Sequence, residues 1–147
     1  MQIRPMVEAD AETVAKLAVE LGYPNDAQTI DERIAIIRRS DLLLVAVTPT
    51  NTPVAFIQAN RSCIIEIGFR VEIVGLVVSA KARRGGIGRR LVAAMEQWAK
   101  EIGAEAVVVR SNTQRDESHI FYPAMGYGAV KTQAVYEKHL RQASART

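Results

Sequence analysis

A glycine-rich turn between an apolar run and an amphipathic stretch is the segment best suited to bind a ligand. The turn reads Arg83-Arg84-Gly85-Gly86-Ile87-Gly88-Arg89-Arg90, and it follows Leu76-Val77-Val78. Glycines let successive backbone N–H groups converge, and the first N–H groups of a helix have no partners within the helix. Because the positive end of the helix dipole adds to these donors, the segment predicts a phosphate-binding turn.

The charges around this turn support the same interpretation. Four arginines lie at the start of the predicted helix, namely Arg83, Arg84, Arg89 and Arg90. The helix dipole disfavours a cation there by about 0.3–1 kcal/mol, and a bound pyrophosphate would offset that cost. A solvated turn whose glycines only reverse the chain explains these residues equally well. Two other phosphate loops are excluded, since neither the P-loop spacing nor Gly-x-Gly-x-x-Gly is present.

The periodicity of apolar residues predicts the elements that position this turn. Helical spacing predicts a helix capped by Asp10 and ended by Gly22, a second helix through Ile30 to Ile37, and a third from Ile87 to Ile102. A brief helix is expected at about 116–125. Strands are predicted at 3–6, 42–47, 54–59 with an extension over 61–67, 71–79, 106–110 and 131–139. The order indicates a mixed α/β sheet with helices on both faces.

The turn also resembles a known signature. Arg83-x-x-Gly86-x-Gly88 is similar to the (Gln/Arg)-x-x-Gly-x-(Gly/Ala) pattern of the GNAT superfamily of N-acetyltransferases. Phe121-Tyr122-x-x-x-Gly126-Tyr127 resembles its late tyrosine motif, and Trp98 to Gly103 the end of its central helix. The resemblance implies a single-domain GNAT fold over 1–140. A flexible tail is expected at 141–147, because its residues are small and polar and show no apolar period. Its sheet would have about six or seven strands and a V-shaped splay between the two central strands.

The resemblance implies acetyl-CoA as the cofactor. Backbone amides of the turn would bind its pyrophosphate, namely those of Arg84, Gly85, Gly86, Ile87, Gly88 and Arg89. A side-chain contact from Arg83, Arg84 or Arg89 would add to them. The strand segment Leu76, Val77 and Val78 would pair with the pantetheine arm, and an N–H near Val77 would stabilise the oxyanion. Asn112 or Arg115 would supply a polar contact to pantetheine.

Two side chains are candidates for proton transfer. By resemblance Tyr122 would protonate the leaving thiolate, although a tyrosine that only packs against the cofactor fits the same position. Glu72 would remove the proton of the amine, with a solvent-facing strand glutamate as the equal alternative and Glu66 as a weaker substitute. The two-residue period of a strand puts Glu72 on the face of Leu76. His119 is expected on a helix surface rather than in a proton relay.

The acceptor is the least specified part of the prediction. In the family, the loop between the first two helices covers the acceptor, which corresponds here to residues 23–29. Asp26 and Asp31 lie close to it, and we expect a helix cap and a solvated charge rather than an amine site. The expected reaction is direct attack by a primary amine of a small molecule in a ternary complex. A protein or peptide amine, or a non-catalytic acyl-CoA sensor, remains the alternative.

The composition narrows the class of partner. The chain has 147 residues, a formal net charge of +3 and 5% aromatic residues, which does not favour nucleic-acid binding. No run of residues is long and apolar enough to span a membrane, and a cytoplasmic protein is expected.

The lone Cys63 allows no intrachain disulfide or multi-cysteine metal site, and its apolar neighbours predict that it is buried. A homodimer through an edge or C-terminal strand is possible.

Overall fold

Five strands and three α-helices make up the first 110 residues. The computed structural model describes residues 1–110 and 121–141, and the chain divides into two units, Met1–Arg110 and Ser111–Thr147. The strands of the first unit are β1 (Gln2–Pro5), β2 (Leu42–Val47), β3 (Pro53–Ile64), β4 (Gly68–Val78) and β5 (Ala106–Val109). Its α-helices are α1 (Ala11–Glu20), α2 (Ala27–Ile37) and α3 (Ile87–Glu101), with short 3-10 turns at Glu8–Asp10 and Ala80–Ala82.

The strands form one mixed sheet in the order β1-β2-β3-β4-β5. Neighbours are antiparallel except β4 and β5, which are parallel. The mixed α/β fold is confirmed, but the described residues hold five strands rather than six or seven. The prediction of a strand at 131–139 is wrong, because the segment has no regular secondary structure and every residue in it is exposed. A β-type sequence forms a strand only where another strand pairs with it.

Helices cover both faces of the sheet. The first face, here called the α1–α2 face, carries Leu43, Val45 and Phe56, which pack in one cluster with buried residues of α1 and α2. The opposite α3 face carries Ala55, Ile57 and Ala59 of β3, which are completely buried. On α3 the residues Leu91, Val92 and Met95 are completely buried as well. Successive side chains of each strand thus alternate between two cores.

The ends of the helices follow the predicted signals in all but one case. Gly22 and Gly103 adopt positive φ values of 91° and 84° after α1 and α3, as expected for helix-ending glycines. Asp26 accepts the Thr29 N–H at 2.8 Å and caps α2, and Asp31 is exposed. Asp10 lies at the N-cap position of α1, but the prediction that its side chain caps the helix is wrong, because it makes no capping hydrogen bond. Its buried carboxylate instead forms an ion pair with Arg4 at 2.8 Å and accepts the Val7 N–H at 2.9 Å.

Strands β3 and β4 continue as a two-stranded arm beyond their neighbours. The Arg61 N–H, at the base of the arm, donates to Asp41 Oδ1 at 2.9 Å. Cys63 lies on the arm and is exposed, so the prediction of a buried cysteine is wrong. Its apolar neighbours, Ile64 and Ile65, extend the arm rather than a core, and Ile65 is itself fully exposed. Within the described residues, no helix is long and apolar enough to cross a membrane.

Candidate active site

Strand β4 continues well beyond the end of its pairing with β5. The parallel register runs from Arg70 opposite Ala106 to Ile73 opposite Val109. Strand β5 ends there, whereas β4 continues to Val78 and stays paired with β3 on its other side. Among the described strands, the last residues of β4 therefore have an open edge on the β5 side, at the position of the expected splay.

A β-bulge lies where the two strands part. In β3 the neighbours Gln58 and Ala59 pair with Gly75 and Ile73, so Val74 is an extra residue in β4. One extra residue reverses the alternation of side chains downstream of it. Glu72, opposite Asn60, therefore lies on the α1–α2 face, whereas Leu76 lies on the α3 face. The prediction that Glu72 shares the face of Leu76 is wrong, because the two-residue period does not hold across a bulge.

The register also fixes which backbone groups face the open edge. The Ser79 N–H donates to the Val54 carbonyl at 2.8 Å, so Ser79 points its backbone towards β3. By alternation Val77 points the same way, and Leu76 and Val78 point their N–H and C=O groups to the open edge. The Val78 carbonyl accepts a hydrogen bond from Arg83 Nε at 3.2 Å. The N–H groups of Leu76 and Val78 are thus the backbone donors of this edge.

The glycine-rich turn connects β4 to α3 through an unusual backbone. Arg84 and Gly86 have φ values of 74° and 75°, a conformation that favours glycine and is uncommon for arginine. Gly86 occupies the N-cap position of α3, where its residue type supplies no side chain to cap the first turn of the helix. A Cβ at Gly86 would meet no atom of the described residues within 4 Å, so these residues leave the space above the turn open.

Charges and contacts around the turn favour an anion. Four arginines lie in or beside it and all are exposed, namely Arg83, Arg84, Arg89 and Arg90. The first turn of α3 contains no acidic residue. The segment just before the turn is bound to α1, since the Ala80 N–H donates to Glu20 Oε1 at 3.0 Å. The result is a fixed set of open backbone donors inside a positive field. We call residues 83–89 the anion cradle.

Glu72 is not a free carboxylate. It forms an ion pair with Arg110, which follows β5 directly, and 23% of its side chain is exposed. The hydrogen bond to Glu72 raises the pKa of Arg110 above its usual value. Glu66, the weaker alternative, is exposed in the turn between β3 and β4, at the end of β4 remote from the cradle. Of the two predicted carboxylates, only Glu72 therefore lies on the strand that leads to the open edge.

Tyr122 belongs to the second unit, in which residues 121–124 are helical. Its ring contacts Phe121 edge-on, with centroids 5.0 Å apart, and Tyr127 in a similar arrangement at 5.8 Å. Gly126 ends the helix with a φ of 92°, as predicted. Burial raises the pKa of Tyr122 above its ordinary value. The phenol is thus neutral at physiological pH and able to donate a proton.

Three predicted positions lie outside the described residues, namely Asn112, Arg115 and His119. The first part of the helix expected at 116–125 and the end of the tail, 142–147, lie outside them as well.

Two residues that lie beside Glu72 were not predicted from the sequence. Arg110 follows the residues of β5 that pair with β4, and Arg70 opens that pairing. Only the register of β4 and β5 places Arg110 beside Glu72, whereas Arg70 lies on the face of Glu72 because β4 begins at Gly68 and not at the predicted residue 71.

Comparison with known proteins agrees with this architecture. Residues 11–127 match the family model described as "Acetyltransferase (GNAT) family". A search of the curated proteins found no match. The chain is similar to the solved structure of a Trypanosoma brucei acetyltransferase, with a TM-score of 0.80 and 20% identity over 93% of this chain and 99% of that one.

Two aminoglycoside acetyltransferase structures show the same fold. An aminoglycoside 6'-N-acetyltransferase from Acinetobacter haemolyticus has a TM-score of 0.81 and 18% identity, over 96% of this chain and 100% of that one. An aminoglycoside N-acetyltransferase in complex with CoA has a TM-score of 0.79 and 18% identity, over 94% and 99% of the two chains. At these identities the likeness establishes the fold alone. The family model covers well over half of the sequence, and the chain belongs to the GNAT acetyltransferase family.

Proposed function

We propose that the protein transfers the acetyl group of acetyl-CoA to a primary amine of a small molecule. The observation that carries this proposal is the continuity of two binding features. The open edge of β4, with the donors of Leu76 and Val78, leads directly into the anion cradle at the start of α3. A ligand that fits both carries a chain of amides next to a pyrophosphate, as coenzyme A does.

The residues at each feature match the corresponding part of coenzyme A. An extended chain with amide groups can add to a sheet edge, and its amides would pair with Leu76 and Val78. Backbone N–H groups of residues 84–89 would bind the pyrophosphate, as anions bind at helix N-termini. Arg83 and Arg89 would add charge-assisted contacts. Asn112 and Arg115 keep their predicted role as contacts to the pantetheine arm.

The proposed mechanism is direct attack of the amine, with no acetylated enzyme. Acetyl-CoA supplies a thioester, whose carbonyl carbon forms the new C–N bond as the C–S bond breaks. The N–H of Leu76 or Val78 would donate to the carbonyl oxygen as it gains negative charge. The two groups hold fixed positions in β4, so they need no reorganisation during the reaction.

An ammonium acceptor loses two protons as it becomes an amide, and the leaving thiolate gains one, so one proton is released to solvent. Most amines are protonated at neutral pH, so Glu72 would accept a proton from the acceptor, directly or through water. Tyr122 would donate its proton to the thiolate that leaves, and its raised pKa supports this role because the phenol stays protonated. The proton that the nitrogen loses as the C–N bond forms would restore the phenol of Tyr122. The pairing of Glu72 with Arg110 implies that an incoming ammonium group replaces the guanidinium at the carboxylate.

The α1–α2 face is the side on which we place the acceptor. Glu72 lies on this face, and α1 and α2, which the loop connects, pack against the same side of the sheet. That loop is short, with Tyr23 exposed and Asp26 engaged as a cap. A small acceptor suits such a site better than a protein, and a peptide amine remains the second candidate.

Calorimetric titration with acetyl-CoA, followed by a screen of amines for release of coenzyme A, tests the proposal. Binding together with release on one class of amine is the expected result. Binding without release on any amine would favour a sensor of acyl-CoA instead. If acetyl-CoA does not bind at all, both the cradle assignment and the proposed reaction are wrong.

A further inference from the structure

Within the described part of the chain, Arg70 is a half-buried arginine that lacks a counterion. Its Nε atom is buried and has no hydrogen-bond partner among these residues. Within residues 1–110 and 121–141, no ion pair involves the guanidinium of Arg70. A buried N–H donor that lacks a hydrogen-bond partner lowers stability. Such an arrangement is expected where a ligand supplies the missing anion.

The strand register places Arg70 beside Glu72. The two residues are separated by one position of β4, upstream of the bulge, so their side chains project from the same face. Two residues of a strand span about 6.6 Å. Ser62 and Asn60 lie opposite them on β3, and Gln58 Nε2 donates to Asn60 Oδ1 at 3.5 Å. The α1–α2 face therefore carries a polar strip that starts at Arg70 and includes the proposed base.

Two acidic side chains at this end of the sheet accept backbone hydrogen bonds, and a third, that of Glu66, is exposed in the turn between β3 and β4. Glu105 Oε2 accepts the Phe69 N–H at 3.0 Å, and Asp41 Oδ1 accepts the Arg61 N–H. Glu72 is paired with Arg110. In the described part of the chain, the strip thus holds two guanidinium groups, those of Arg70 and Arg110, and one carboxylate. Once an acceptor amine displaces Arg110, Arg70 and Glu72 offer one charge of each sign, which a zwitterionic acceptor complements.

We propose that the acceptor carries a carboxylate about 7 Å from its reactive amine, and that Arg70 binds this carboxylate. The amine then lies at Glu72, where it takes the place of Arg110. The planar fork of an arginine matches a carboxylate with two parallel hydrogen bonds, which fixes the orientation of the acceptor as well as its charge. This inference rests on the proposed acetyl transfer and specifies its substrate class. Arg70 would act as a specificity residue and take no part in proton transfer.

Matched acceptors test the proposal on the intact protein. Lysine, lysinamide and cadaverine share a primary amine on the same chain, and only lysine has a carboxylate. For the wild type, kcat/KM should be highest for lysine. In Arg70→Gln it should fall by about 10- to 100-fold for lysine, mainly through KM, and stay within about twofold for cadaverine. A short peptide with glutamate next to lysine is a further acceptor for comparison, because its side-chain carboxylate belongs to a peptide and not to a free amino acid.

The control variant is Arg61→Gln. Arg61 lies on β3 opposite Val71 and projects from the α3 face, so the same charge is removed from the other side of the sheet. This variant should leave the ratio of lysine to cadaverine unchanged. Equal losses for both acceptors in Arg70→Gln, or no loss for either, would overturn the proposal.

Binding without turnover separates this proposal from the proposed reaction. Thermal unfolding of the protein–coenzyme A complex is measured with and without lysine, in the wild type and in Arg70→Gln. Lysine should raise the unfolding midpoint of the wild type only. That result stands even if no amine is acetylated, in which case the acetyl-transfer proposal fails alone. An equal rise in both proteins would contradict the role of Arg70.

Discussion

The ion pair between Glu72 and Arg110 defines what each residue does before an acceptor binds. A carboxylate held by a guanidinium is oriented by it, and an acceptor amine reaches Glu72 only when Arg110 moves away from it. The pair therefore links proton removal to acceptor binding. It also explains how a charged side chain is accommodated on a strand next to the buried residues Val71 and Ile73.

At the level of this single residue, Glu72→Gln should lower kcat by about 100- to 10,000-fold, the range typical for the loss of a general base. The affinity for acetyl-CoA, measured by calorimetry, should stay the same because Glu72 lies away from the cradle. Glu66→Gln is the matched control, since it removes an exposed carboxylate from the turn before β4. Equal activity of the two variants would exclude Glu72 as the base.

Tyr122→Phe should lower kcat by about 100-fold, and it should also change the alkaline stability of the protein. Burial raises the folded-state pKa of Tyr122, so its stabilising contribution is complete below the unfolded pKa of about 10. That contribution is lost as the pH rises through the folded pKa. Unfolding midpoints measured between about pH 8 and 11.5 should therefore fall less steeply in the variant. Unchanged turnover would leave Tyr122 a packing residue only.

Among the elements, the two ends of α3 allow a controlled test of the cradle. Gly86 and Gly103 both have positive φ, and a Cβ added at either position would have no atom of the described residues within 4 Å beyond its chain neighbours. Alanine at either position should cost about 1–2 kcal/mol of stability through backbone strain alone. Only Gly86→Ala should also weaken acetyl-CoA binding, by at least about tenfold. Equal affinities of the two variants would place the pyrophosphate elsewhere.

The elements that follow from local pattern were predictable, whereas features that depend on pairing were not. The bounds of β2 and the glycine after α3 follow from apolar periodicity and one residue type. The bulge at Val74 does not, because it is visible only in the register of β4 against β3. For the same reason the sequence identified Glu72 but predicted the wrong face for it, and it did not predict Arg110 as a neighbour of Glu72.

For the molecule as a whole, the formal net charge is +3, and four arginines lie in or beside the anion cradle. A ligand that binds only the folded state raises stability by about 2.7 kcal/mol at a concentration of about 100 times its Kd. Coenzyme A should therefore raise the unfolding midpoint, and duplex DNA at the same phosphate concentration should not. A rise with DNA that disappears steeply with salt would instead indicate nucleic-acid binding.

The arm of β3 and β4 has a practical consequence for detecting the reaction. Cys63 is the one cysteine of the sequence, and it is exposed on that arm. A colorimetric thiol reagent that reports released coenzyme A will therefore also react with the protein itself. Its background should equal the protein concentration, and a Cys63→Ser variant should abolish that background without slowing turnover. The same accessible sulfur offers a single attachment point for a fluorophore, at the end of β4 opposite the cradle.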